Sequence, residues 1–152
     1  AGEKVSDRAF NDIKVDDKGV AFRNNIAFAK NGDKYILIDP QCNQVGTQAW
    51  DDVDAFNGDL YAAVKVGTKW GYVDFTGKEV VPCQYTNAKS FSNGFAAIER
   101  NGKWGYIVKD TFEEVIECQF EGANDFSDGG SAFIYKDGFW TLLKVYRLSQ
   151  IK

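Results

Sequence analysis

Apolar residues along this chain come in short runs broken by Gly, Asn and Asp, and nowhere hold the 3.6-residue period of a helix. The runs read as strands. Asn101-Gly102 is the dipeptide of a two-residue loop with positive φ at both positions, so it is expected to close a tight hairpin. Pairing outward from it sets Arg100 opposite Lys103, Glu99 opposite Trp104, Ile98 opposite Gly105 and Ala97 opposite Tyr106. Side chains alternate along a strand, so Trp104 and Tyr106 share one face and Gly105 lies on the other, beside Ile98. Glycine weakens a strand, and its use there predicts close approach by a neighbouring backbone or bulky side chain. Asp137-Gly138 and Gly67-Thr68 offer further hairpin turns, and Gly77 in "DFTGK" suits the left-handed position of a longer one. Pro82 in "EVVPCQY" lacks an N–H and belongs at a sheet edge or strand end.

The pattern recurs along the chain. Trp70, Trp104 and Trp140 fall 34 and 36 residues apart, and Tyr35 lies 35 before Trp70. Two residues after each comes Leu37, Tyr72, Tyr106 or Leu142. Further on, "QAWDDVDAF", "CQYTNAKSF" and "CQFEGANDF" align Trp50, Tyr85 and Phe120, then Phe56, Phe91 and Phe126. Phe22, and Phe10 before it, begin an earlier copy. Small length changes fall beside turn residues, where a loop absorbs them. The reading is all-β, with about four units of roughly 35 residues.

"GKWGY", followed by "TGKEVVPCQYTNAKSFSNGFAAI", resembles the WG β-repeat (KWG-repeat) family over roughly residues 20–145. The outer units depart from the motif, with Tyr35-Ile36 in the first and Trp140-Thr141 in the last. Altered ends suit the capping of a repeat stack. The resemblance implies a stretch of a larger bacterial protein, often surface or exported, without assigned catalysis. One array over 1–152 is expected: a degenerate unit at about 1–30, central units at about 31–139, and a closing strand at about 140–152. An open twisted stack is favoured over a propeller-like ring.

A single unit cannot bury an aromatic face alone, so neighbouring units are expected to stack over it, each large side chain contributing about 1.5–3 kcal/mol. Tyr35, Trp70, Trp104, Trp140, Tyr72, Tyr106, Trp50, Tyr85 and Phe120 are therefore expected to form the repeat core, with Phe28 and Phe133 beside them. Phe75 and Phe112, in the loops "DFTGK" and "DTFEE", and Phe139, beside the Asp137-Gly138 turn, fall where a ring is hard to hide. Either they form an apolar patch for a partner, or each folds back over its own hairpin or is covered by an adjoining domain.

Composition narrows the chemistry. Lys+Arg 18 against Asp+Glu 22 gives a net charge of −4, which disfavours nucleic acid or an anionic membrane. No apolar run reaches the roughly 20 residues of a membrane span. There is no His, so triads with a His base are excluded, and no glycine-rich phosphate loop is present. Cys42, Cys83 and Cys118 lack CxxC spacing; Cys83 and Cys118 occupy matching contexts and read as small fillers. Asp51, Asp52, Asp54 and Asp59 lack the pattern of a calcium loop and read as a solvated segment. There is no Met, so the native start is expected to be missing, through export processing or excision; together with what the family resemblance implies, this leans toward an exported or cell-surface bacterial location. The expectation is a non-catalytic scaffold, monomeric in isolation, that binds protein partners and uses no cofactor or metal. The alternative is a carbohydrate- or cell-wall-binding module that stacks exposed aromatics on sugar rings.

Overall fold

A computed structural model describes residues 7–57 and 59–145. The expectations for the first six residues and for the tail beyond Val145 lie outside these. Every regular element among the described residues is a strand. They are β1 (Asp12–Ile13), β2 (Ala27–Asn31), β3 (Lys34–Ile38), β4 (Gln44–Trp50), β5 (Asp52–Val53), β6 (Tyr61–Val66), β7 (Lys69–Asp74) and β8 (Glu79–Tyr85). Then come β9 (Asn87–Ala88), β10 (Phe95–Arg100), β11 (Lys103–Val108), β12 (Glu114–Phe120), β13 (Gly122–Ala123), β14 (Ser131–Lys136) and β15 (Phe139–Lys144). They form four antiparallel sheets in chain order, β1–β4, β5–β8, β9–β12 and β13–β15. The chain divides into two compact units between Gln84 and Tyr85. The first holds the first sheet and nearly all of the second; the other holds the third and fourth.

Each sheet opens with a two-residue strand that the sequence pattern did not separate from the loop before it. It is held by backbone bonds on both flanks, from Asp51 and Asp54 N–H in the second sheet and from Thr86 and Lys89 N–H in the third. The central hairpins follow the pairing read from the turn. Arg100 faces Lys103, Glu99 faces Trp104, Ile98 faces Gly105 and Ala97 faces Tyr106. Asn101 and Gly102 take φ of 54° and 79°, the left-handed pair this loop requires.

The next turn also repeats. In Asp16–Val20, Asp39–Asn43 and Asp74–Lys78 the first N–H bonds the fifth carbonyl, and the first carboxylate accepts N–H bonds from two and four residues on. The fourth residue takes positive φ: Gly19, Cys42 and Gly77 at 77°, 67° and 87°. Cys42 thus occupies a conformation that its counterparts fill with glycine.

In the first unit Phe28, Tyr35, Leu37 and Trp50 pack against Val53, Phe56, Ala62, Val64 and Val73. Phe28 meets Trp50 edge-on at 5.6 Å and stacks on Phe56 at 5.2 Å. In the second unit Ala97, Tyr106 and Phe120 pack against Phe126, Ala132 and Ile134. The same face of each leading sheet therefore meets the opposite face of the sheet that follows, with sheets layered as in other sheet-on-sheet cores.

One cross-strand pair carries this face, and its bulk changes sides between sheets. It is Phe28–Leu37 in the first sheet, Ala63–Tyr72 in the second and Ala97–Tyr106 in the third. A large residue on one strand is matched by a smaller one opposite, which keeps the space between layers filled. In the fourth sheet the pair is Phe133–Leu142.

Candidate functional site

The Trp-Gly pair is explained by what lies over its glycine. A Cβ on Gly71 would stand 2.4 Å from the Val81 carbonyl oxygen and 2.7 Å from the Cys83 nitrogen. One on Gly105 would stand 2.4 Å from the Ile116 oxygen and 2.7 Å from the Cys118 nitrogen. Main chain bulges onto these positions because β12 inserts residues opposite Gly105. From Trp104 to Tyr106 its partner runs from Phe120 to Ile116, four steps against two. In the first sheet Ile36 replaces the glycine, and the partner runs from Trp50 to Val45 between Tyr35 and Leu37, five steps against two. By Ile38 and Ile107 both partner strands have run six steps against three, so the two bulges are of equal length and differ in where the last extra residue falls.

The tryptophans themselves are not the deepest part of the core. Trp70 and Trp104 are half-buried, whereas Tyr72 and Tyr106 are fully enclosed. Lys89 Nζ sits 5.4 Å from the Trp104 ring centroid, a cation–π contact. The Tyr106 hydroxyl donates to the Asn124 carbonyl at 2.6 Å, and burial pushes its pKa up to about 12. Tyr35 donates to Asp12 at 2.6 Å, with its pKa also pushed up to about 12 by burial and then by that carboxylate. Trp50, Tyr85 and Phe120 are buried.

Trp140 departs from expectation. It is 56% exposed, as is Leu142, and Phe133 is 50% exposed. All three were expected in repeat register or in the core. They share one face of the fourth sheet with half-buried Tyr135, whose ring lies 5.1 Å from that of Trp140. Among the described residues no strand pairs the outer edge of β15 and no further sheet covers this face. The opposite face, with Ala132 and Ile134, is buried as in the other sheets. Phe22 shows the matching effect at the other end. Its counterparts Phe56 and Phe126 enter the core against the preceding sheet, but no sheet precedes the first among the described residues, and Phe22 is 39% exposed.

The loop aromatics divide. Phe139 is 72% exposed beside its turn, and Phe75 is 40% exposed at the second position of the Asp74–Lys78 turn. Phe112 is half-buried, its ring 6.0 Å from that of Phe91 and its φ at 58°. It folds back onto its own unit because its loop bends through two positive-φ residues, Asp110 and Phe112.

A shallow cleft in the second unit is lined by Arg100, Asn101, Lys103, Glu114, Glu117 and Cys118. Arg100 donates to Glu114 at 2.7 Å. Burial works against the Glu114 charge, but Arg100 and Cys118 outweigh it and hold the carboxyl below its usual range. Burial, then the Glu114 charge, pushes the Cys118 thiol up to about 11. The charges there neutralise one another and the thiol stays protonated, an arrangement suited to structure rather than to nucleophilic attack. No group of three His, Cys, Asp or Glu side chains among the described residues is placed to hold a metal ion.

Four consecutive antiparallel sheets, with recurrent turns and, inside each unit, the same packing face, define a tandem β-repeat protein. The chain carries repeats of the family described as WG containing repeat, matched at residues 70–104 and again at 104–140. Both matched segments begin on the Trp of a Trp-Gly pair and end on the next repeat's Trp. A solved structure, "Kluyveromyces lactis Hsv2 complete loop 6CD", aligns with 9% identity and a TM-score of 0.42. The alignment covers 80% of this chain and 47% of that one, so the chain spans about half the length of that structure. No curated protein matches the chain.

Proposed function

We propose that this repeat module is a non-catalytic scaffold that binds other proteins through apolar surface on its fourth sheet. The observation that carries the reading is the exposed set Phe133, Trp140 and Leu142 on one face, with Phe139 at the adjoining turn. An exposed sheet face that carries Phe133, Trp140 and Leu142 has the make-up of a protein interface. Phe139 adds an apolar ring at the turn, on the other side of its strand. Phe75 is a secondary anchor on the first unit, and Phe112 contributes less because its ring is spent on Phe91. Support for a non-catalytic role comes from the neutralised cleft and its protonated thiol.

Exposure of Trp140 also favours a second reading, in which its ring stacks on a sugar. That reading is weaker because sugar sites join an aromatic platform to convergent polar groups, whereas Phe133 and Leu142 flank this ring. Glycan titration separates the two: quenching of Trp140 fluorescence by a soluble glycan, lost in Trp140→Phe, would establish the sugar site. The scaffold reading expects proximity labelling in the source cells to recover a set of neighbours that collapses for the Phe139→Ser, Leu142→Ser double variant. An unchanged set would reject it.

A further inference from the structure

The fourth sheet ends the described chain with a face composed like an interior one. Its Phe133–Leu142 pair matches the Phe28–Leu37 pair of the first sheet residue for residue. In the first sheet that pair is 2% and 0% exposed, because the second sheet lies over it. In the fourth sheet the same pair is half open to solvent. The tryptophan beside it behaves the same way: Trp104 packs at the margin of the core formed with the fourth sheet, whereas Trp140 stands exposed.

What covers such a face can be read from the two interfaces already described. The mating surface consists of small, uncharged side chains on a neighbouring hairpin, Ala62, Val64 and Val73 in one unit and Ala132 and Ile134 in the other. Each is completed by one aromatic from the loop ahead of the hairpin, Phe56 or Phe126. The first sheet of this chain carries the equivalent small-residue surface, Ala27, Ala29 and Ile38. There it is buried, with Phe10 and Ala21 packed against it. A second copy of the chain would have to strip that cover before its first sheet could dock.

We infer that the Phe133–Trp140–Leu142 face is a docking site for a further antiparallel sheet of the same repeat class, carried by the protein partner of the scaffold reading. The incoming sheet presents Ala and Val from its hairpin and one aromatic from the loop before it. It continues the layering that joins the third sheet to the fourth. The inference names the partner of the surface in the scaffold reading and rests on that reading. It excludes a charged or glycan partner for this face.

The test extends the full chain after Lys152 with a copy of residues 117–145, which keeps the 36-residue offset between Trp104 and Trp140. The copied Trp140 carries the Trp140→Phe change, so that the original ring is the one probed. The expected result is a thermal midpoint higher by more than about 4 °C. Acrylamide quenching of the original Trp140 should fall at least about twofold as the ring leaves solvent. Leu142→Lys in the extended chain should abolish both effects, while in the unextended chain, where Leu142 is exposed, it should leave the midpoint within about 2 °C.

An unchanged midpoint, undiminished quenching, or gains that survive Leu142→Lys would each overturn the proposal. So would concentration-dependent dimerisation of the unextended chain that shields Trp140, since the occupant would then be a second copy. Proximity labelling is read independently. If labelling depends on Leu142 but the extension does not dock, the scaffold reading stands and the sheet-stacking inference falls.

Discussion

The Sγ of Cys118 lies 3.8 Å from the carbonyl oxygen of Ile98, the residue paired across the hairpin with Gly105. Cys83 repeats the contact with Val64, opposite Gly71, at the same 3.8 Å. Each thiol reaches across the glycine toward the strand behind it. The bulged main chain, the absent side chain and the sulfur are three parts of one close contact, and this is why Trp-Gly and Cys-Gln recur together.

Gly105→Ala therefore forces a Cβ against main chain that has no free end to swing away. The expected loss is about 1–3 kcal/mol, the range for overpacking a tight site. Thr141→Gly, at the equivalent position in the last sheet, should cost less than Gly105→Ala, since no strand of that sheet lies over Thr141 among the described residues. Urea unfolding of the two variants measures the contrast. Equal losses would mean that the bulge yields freely.

The exchange of bulk across the hairpin predicts a compensating pair. Phe28→Ala empties a buried ring site and should cost about 3–5 kcal/mol. Adding Leu37→Tyr recreates the Ala–Tyr arrangement of the second and third sheets, and the double variant should recover more than about 1 kcal/mol of that loss. A double-mutant cycle from chemical denaturation reads the coupling. Strict additivity would show that the two positions do not share one space.

Thiol reactivity should follow burial. With its pKa near 11, Cys118 holds only about one thiolate in a thousand at pH 8, and burial raises the Cys83 thiol as well. Under native conditions iodoacetamide should modify both much more slowly than it does after urea unfolding, as followed by mass spectrometry. Glu114→Gln removes a charge that raises the Cys118 pKa, so alkylation of Cys118 should quicken in that variant.

Stability should depend on pH at the acid end. Asp12 is held below its usual range by the Tyr35 hydroxyl, Asp16 by the Val20 N–H and then Arg23, and Asp51 by Lys34. A carboxyl whose folded pKa is lowered contributes fully above its unfolded value, near 3.8. Its contribution fades as pH falls through the lower folded value. Thermal midpoints should accordingly be level between about pH 7 and pH 5 and drop below about pH 4. Asp16→Asn should start lower and fall less steeply across the acid range. A slope identical to the parent's would remove Asp16 from the acid response.

Much of the architecture was legible because its signals are local. An Asn-Gly turn fixes register, register places every side chain by parity, and the repeat spacing then assigns equivalent positions without any knowledge of contacts. The glycine of the Trp-Gly pair could be read as a site of close approach on the same grounds. The loop aromatics were harder. Phe75 and Phe112 look alike in sequence, and only the positive φ at Asp110 and Phe112 turns one ring back onto Phe91.

The sequence by itself determined the longer strands, the hairpin turns with their register, and the identity of the repeating unit, since each rests on local residue patterns. The two-residue opening strands and the bulged pairing did not show there. Tertiary structure decided which faces are covered. Phe28 and Phe133 occupy the same register position with similar neighbours, yet one is buried and the other open. The difference lies in whether another sheet stands in front of them, and burial of a sheet face is a property of two layers, not one.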